Sequence, residues 1–397
     1  MGISKNLHLA AVAVEELLDG ARRFVWKRTG RHRPRQIVAY RGYGNSSAVK
    51  ISGRLLANKP TGGPLEKDGW WKNLVNTYRR WESDEVPFTK VTVSYGENET
   101  EITTDEEGYY VVEFPRELDA RTELVWRSAS ASCSAGECEI ESVHEIMISP
   151  VSPEFGVISD MDDTVIHTGI TSILLAAKLT FMENAKTRKP LDGVAGLYRS
   201  LQNGNFSVAT NPIFYVSSSP WNLHDLITDF MDLNDIPPGP LLLRDIGLDR
   251  TKFIKSKGHG HKYDKALSIL DEFPDLEFLL IGDSGQDDPT IYADLVEARP
   301  GRVKAIYIRD IDPDLDSELD RKVHEAVERA SQSGVPMMLV RDSVEISHHA
   351  RHLGLIPEPD LEAVEESAAR DQTRPEAGEQ AIKDAFQSSQ NMEETDA

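Results

Sequence analysis

Apolar residues first recur at helical spacing. Leu7, Ala10, Ala11, Val14, Leu17, Leu18 and Ala21 predict an amphipathic helix over 4–28. From residue 37 the period shortens. Residues 49–55 and 89–94 alternate apolar and polar, and 143–148 closes the series. Residues 101–114 read as strand, turn, strand, with Asp105 to Gly108 making the turn of a hairpin. Short strands separated by turns predict a small antiparallel β-sandwich over 37–150. Beyond Phe155 apolar runs at 156–159, 213–217, 241–243, 277–281, 304–308 and 337–340 alternate with helical stretches. Those stretches fall at about 171–187, 191–202, 221–233, 262–272, 288–297 and 317–331. This βα alternation predicts a parallel sheet covered on both faces, within a unit spanning 151–357. Residues 358–397 are alanine- and glutamate-rich and poor in large apolar side chains, which predicts an acidic disordered tail with room for one fluctuating helix.

One stripe departs from the β texture. Trp70, Trp71, Leu74, Tyr78 and Trp81 share a helical face, with Lys72, Arg79 and Arg80 alongside. Such a face either lies at a membrane surface or packs into a core. The N-terminal helix poses the same choice. It runs into Arg22, Arg23, Lys27, Arg28, Arg31, Arg33 and Arg35, with Phe24 and Trp26 embedded, and closes a first segment at residue 36.

A chain of 397 residues accommodates two or three domains, and 39% apolar residues suffice for real cores. A net charge of −22 argues against a general nucleic-acid binder, because phosphate backbones repel such a surface. It leaves room for a phosphorylated ligand at a metal-compensated site. The charge is uneven: residues 358–397 carry twelve acids against Arg370, Arg374 and Lys383. Cys133 and Cys138 are read as two loop thiols, a C-x4-C pair being a weak zinc or disulfide signal. Sparse cysteine fits a reducing cytoplasm. No apolar run is long enough to span a bilayer, and residues 7–14 lead at once into Glu15 and Glu16, unlike a signal peptide.

The densest chemistry is V-I-S-D-M-D-D-T at 157–164. A buried strand ends there, and Asp160, Asp162 and Asp163 crowd three carboxylates into four residues. Like charges this close need a cation or a proton. The cluster is either a helix N-cap or a catalytic centre at the carboxyl end of a parallel strand. Three further segments bear on that choice. In I-F-Y-V-S-S-S-P-W a strand runs into Ser217, Ser218 and Ser219 before Pro220 opens a helix, which suits either a phosphate or ordinary capping. Lys262, in G-H-G-H-K, sits at a helix start where the macrodipole disfavours a cation unless an anion is near. His259 and His261 beside it are metal ligands or solvated loop residues. In F-L-L-I-G-D-S-G-Q-D-D-P a buried strand ends in Asp283, with Asp287 four residues on and Gly282 and Gly285 permitting a tight backbone.

In order and spacing these segments resemble the four motifs of the haloacid dehalogenase superfamily. Residues 155–310 are similar to the catalytic domain of the actin-patch-associated phosphatidate phosphatase family. The residues that carry this are S-D-M-D-D-T-V-I-H-T-G, Y-V-S-S-S-P-W, the H-K at 261–262 and L-I-G-D-S-G-Q-D-D-P. The β-rich region ahead of them is in keeping with bacterial members. A separate, fainter resemblance links T-D-E-E-G-Y-Y to hairpins of carboxypeptidase-regulatory-like and transthyretin-like sandwiches.

The main resemblance implies an α/β fold with a Rossmann-like parallel sheet of the haloacid dehalogenase type. It implies a Mg²⁺-dependent phosphatase that cleaves phosphatidate to diacylglycerol and phosphate through an aspartyl-phosphate. Asp160 would be the nucleophile and Asp162 the acid and base. Ser217, or Ser218 in its place, and Lys262 would hold phosphate oxygens. Mg²⁺ would be held by Asp160, the Asp162 carbonyl and Asp283, with Asp287 supporting. The implied partner is a phospholipid at a membrane surface, met by a cytoplasmic enzyme with or without peripheral attachment. A soluble phosphomonoester, a phosphoprotein or a binding role with a vestigial site are the alternatives. The apolar stretch at 170–182, followed by Lys186, Arg188 and Lys189, would suit a lipid or simply pack a helix.

Overall fold

The structure, a computed structural model, describes residues 35–57, 84–116, 121–135, 138–161, 192–244, 260–310 and 318–373. The predicted helices at 4–28 and 171–187, the Trp70 to Trp81 stripe, Asp162, Asp163, His259 and residues 374–397 lie outside the described residues.

The first unit is built from β1 (Arg35–Ala39), β2 (Gly42–Gly44), β3 (Ala48–Ala57), β4 (Asp84–Glu85), β5 (Lys90–Tyr95), β6 (Asn98–Thr103), β7 (Tyr109–Pro115), β8 (Val125–Ala135) and β9 (Cys138–Ile148). They form one sheet of order β1-β3-β2-β9-β8-β5-β6, from which β4 and β7 branch at β3. Its ladders are antiparallel apart from β2 with β9. Alternate residues such as Val49, Ile51, Val91, Val93, Ala131 and Ile146 point into a shared core.

Two expectations are corrected here, and one strand is added. Residues 101–114 do not close a hairpin. The turn at Asp105 to Gly108 is present, with Gly108 N donating to Asp105 O at 3.2 Å, but β6 pairs with β5 and β7 with β3. The two strands part because β3, ten residues long, offers β7 a more apolar partner than β6 does. The cysteines are not loop residues: Cys133 is a buried free thiol on β8, and Cys138 opens β9. β8 itself was unforeseen, because its inward positions Ala129, Ala131 and Cys133 are small and alternate with serines.

The second unit holds β10 (Gly156–Asp160), β11 (Ile213–Pro220), β12 (Leu241–Arg244), β13 (Phe278–Asp283), β14 (Val303–Arg309) and β15 (Met337–Val340). They make a parallel sheet of order β12-β11-β10-β13-β14-β15. All strands run the same way, but the chain winds outward in opposite senses from β10 and from β13, which makes the gap between them the switch point where open parallel sheets place their crevice. Residues alternate between two cores. Ile158, Phe214, Leu280 and Ile306 face α3 (His261–Glu272), α4 (Asp288–Ala298) and α5 (Glu318–Gln332). Val157, Tyr215, Leu279 and Tyr307 face α1 (Val194–Asn203), α2 (His224–Leu233), α6 (Ser343–His352) and α7 (Glu358–Thr373). The antiparallel unit docks on the first of these faces, with Tyr43 edge-on to Phe214 at 5.3 Å and Lys50 Nζ paired to Glu272 at 2.7 Å.

α7 overturns the expectation of disorder for the first part of 358–397. Val364 and Ala368 are buried, and Asp371 accepts a hydrogen bond from Gly193 N at 3.0 Å. The contact is made by small groups: a Cβ added to Gly196 would lie 2.8 Å from the Ser367 Cβ. Packing of that kind leaves no trace in a hydropathy pattern. Among the described residues no helix is long and apolar enough to cross a membrane.

Candidate functional site

The carboxyl ends of β10 and β13 are adjacent, since Ser159 pairs with Ile281, and each strand terminates in an aspartate. Burying two carboxylates side by side is costly, and the protein meets that cost with a third element. α3 starts beneath them, and its second residue, Lys262, is buried. Lys262 Nζ lies 2.8 Å from Asp160 Oδ1 and 2.9 Å from Asp288 Oδ1, and donates to Gln286 Oε1 at 2.9 Å. Burial pushes the Lys262 ammonium toward losing its proton, but the Asp160 and Asp288 charges outweigh it and hold the group above the ordinary lysine range.

The turn after β13 is wound around its own carboxylates. Asp283 Oδ1 accepts from Gly285 N at 2.8 Å and Gln286 N at 3.1 Å, and Asp283 N donates to Asp288 Oδ2 at 3.2 Å. Gly282 is required for this approach, because a Cβ there would sit 2.5 Å from Asp288 Oδ2. Tyr292 backs the turn by donating to Ile281 O at 2.9 Å. On the other side Ser159 bridges Tyr198 to the Asp160 carbonyl. Burial pushes the Tyr198 phenol up to about 12, its hydrogen bond to Ser159 acting the other way.

Asp160, Asp283 and Asp288 each offer an oxygen within 4.8 Å of the others. Three carboxylates against one lysine leave a formal excess of negative charge, and an all-oxygen set of this kind suits a hard divalent cation. The residues present therefore fit Mg²⁺.

The structure thus brings Asp160, Lys262 and Asp283 together. It does not bring Asp287: that side chain is exposed and sits 4.0 Å from Lys322 Nζ. Its neighbour Asp288, wholly buried, occupies the cluster instead. Pro289 follows at the helix start, and a one-residue step there swings a side chain by about 100°. Two adjacent acids before a proline signal that one turns inward, not which. Gln286, inside the G-D-S-G-Q-D segment, was given no role of its own, and nothing in the local sequence marks Tyr198 or Tyr292. Ser217 is buried within β11, one residue past the pairing of Asp160 with Val216, and its Oγ accepts from Ser219 N at 2.9 Å. Ser218 is exposed between two buried serines. His261 is partly buried and is not part of the carboxylate cluster.

This edge of the sheet lies in the segment that similarity singles out. Residues 155–310 match the family described as phosphatidate phosphatase APP1, catalytic domain. Phosphatidate phosphatase APP1 of Saccharomyces cerevisiae is 31% identical over 202 residues, covering 49% of this chain and 33% of the yeast protein. An uncharacterized protein of Schizosaccharomyces pombe is 28% identical over 156 residues, 39% of this chain and 25% of that protein. The chain thus spans about a third or less of the length of these relatives. A carbohydrate acetylesterase from Xanthomonas citri aligns over 83% of this chain and 72% of its own at 8% identity, with a TM-score of 0.29 that carries no argument.

Proposed function

We propose that this protein is a Mg²⁺-dependent phosphatidate phosphatase, releasing diacylglycerol and phosphate. The observation that carries the reading is the buried set of Asp160, Asp283 and Asp288 around Lys262 at the sheet's switch point, inside the segment that matches the phosphatase family. On this reading the parallel sheet is Rossmann-like and of the haloacid dehalogenase type, and the antiparallel unit is a β-sandwich accessory domain. Asp160, Asp283 and Asp288 would hold Mg²⁺, Asp288 standing where Asp287 was expected, and the Asp162 carbonyl would complete the set. When bound, the ion supplies the positive charge that lets an anionic phosphomonoester approach these carboxylates.

The chain's own residues then divide the work. An Asp160 carboxylate oxygen attacks phosphorus, and the bond from phosphorus to the diacylglycerol oxygen breaks. Asp162 gives the departing oxygen a proton. Lys262 and the Ser217 hydroxyl hold the phosphoryl oxygens, Lys262 already charged and oriented by Gln286. Asp162 next takes a proton from water, which attacks the aspartyl-phosphate, frees phosphate and restores Asp160. We place the reaction at the cytoplasmic surface of a membrane, with the phospholipid presented by the bilayer.

The test is phosphate release from phosphatidate in mixed micelles with Mg²⁺, beside sugar phosphates and nucleotides. Preference for phosphatidate, lost on chelation, is the expected result. Far faster turnover of the soluble esters would overturn the lipid assignment, and turnover indifferent to Mg²⁺ would overturn the metal.

A further inference from the structure

The serine-bearing turn is the irregular last part of β11, residues 217–219. Register with β12 shifts between Val216 and Pro220, and the 3-10 turn that follows at Trp221–Leu223 has no side-chain cap. The hydrogen bond from Ser219 N to Ser217 Oγ closes the turn on itself. Support arrives from the antiparallel unit. The ring of Tyr40, between β1 and β2, stacks on Trp221 with centroids 3.9 Å apart and planes 25° apart, and meets the buried His224 ring at 4.9 Å. Val38, Leu56 and Tyr109 close around this contact as a small core of their own.

Tyr40 is itself firmly seated. Its N–H donates to Ser52 O at 3.2 Å, and its carbonyl meets His144 Nδ1 at 3.0 Å. His144 Nε2 in turn meets the Tyr110 hydroxyl at 2.8 Å, with both residues buried. A rigid aromatic on one unit thus presses on Trp221, the first residue after β11, of the other.

We propose that Tyr40 is a positioning residue: by clamping Trp221 it fixes the turn at 217–219 that presents Ser217 to the phosphoryl group. This rests on the phosphate-holding role given to Ser217 above. The antiparallel unit is then a working part of the catalytic site. Stacking of the ring on Trp221 is the contact on which the proposal turns.

The experiment compares full-length wild type with Tyr40→Ala, Tyr40→Phe and Lys50→Met. The last breaks the ion pair to Glu272, a contact between the same two units made at α3 and not at Trp221. Two readouts are taken: amide hydrogen exchange of 217–223, and KM and kcat for phosphatidate. In Tyr40→Ala, exchange of 217–223 rises about tenfold while that of 278–286 is unchanged. KM rises about tenfold with a smaller change in kcat. Tyr40→Phe matches wild type, and Lys50→Met stays within about twofold on both readouts. Unchanged exchange at 217–223 in Tyr40→Ala, or an equal effect from Lys50→Met, overturns the proposal. If Tyr40→Ala does not fold, Tyr40→Leu keeps apolar bulk without a ring and decides the same question. If wild type hydrolyses no phosphomonoester, the phosphatase reading falls, and the exchange comparison still decides whether Tyr40 positions the turn.

Discussion

Each sheet buries a polar network, and the two networks are balanced in opposite ways. Under the antiparallel sheet, Tyr110, His144 and Tyr40 satisfy one another as neutral groups, and burial pushes the His144 imidazole below its ordinary range despite the Tyr40 carbonyl. At the carboxyl edge of the parallel sheet, three carboxylates gather within 4.8 Å of one another, and two of them pair with one ammonium, so these four groups carry a formal excess of negative charge. The first arrangement contributes to folding on its own terms. The second would be poor design for stability alone, since a buried charge cluster out of balance costs more than an apolar one. The contrast separates a polar core that is balanced within the fold from one that the proposed function would balance with a cation.

The sharpest way to break the comparison is Asp160→Asn. Turnover is expected to fall by at least ~10³-fold while thermal stability holds or rises, because repulsion is relieved. Retained activity would remove the nucleophile. Next comes the pair Asp288→Asn and Asp287→Asn. The first should lower activity and Mg²⁺-induced thermal stabilisation, activity by about 10–100-fold. The second should change either by no more than about twofold. The reverse ranking would return the site to the acid the sequence first suggested.

For the neutral network, His144→Gln should cost about 2 kcal/mol in urea unfolding at pH 7. It should also weaken the pH dependence. His144 resists protonation when folded, so its contribution is complete above the ordinary value of 6.5 and is lost as pH falls toward its lower folded value. Wild type should therefore lose more stability than the variant between pH 7 and pH 5, and parallel losses would refute the assignment. Last, Val364→Ala on α7 should cost about 1–2 kcal/mol, measured as the unfolding midpoint. A change within about 0.5 kcal/mol would mean that α7 is not part of the catalytic core.

Apolar strands ending in aspartates were readable because a fully buried parallel strand has no other composition open to it. That made Asp160 and Asp283 legible, and the macrodipole argument made Lys262 legible. What escaped was packing carried by small residues. β8 fills its inward face with alanine and cysteine, and α7 sets Ser367 and Ala368 against glycines. The inward choice of Asp288 over Asp287 depends on the phase of one helical residue, which no composition records. The false hairpin at 101–114 had the right turn and the wrong partners, because pairing is decided by β3 and β5, elsewhere in the chain.

The bond from Gly193 N to Asp371 joins residues 178 positions apart. Gly193 adjoins the start of α1, whose apolar side Val364 and Ala368 help to cover. A ribosome making this protein must therefore deliver residue 371 before that layer is sealed. Until then the nascent parallel-sheet unit presents an unfinished apolar surface, so chaperone occupancy and the tolerance of shortened gene products should both change abruptly across α7.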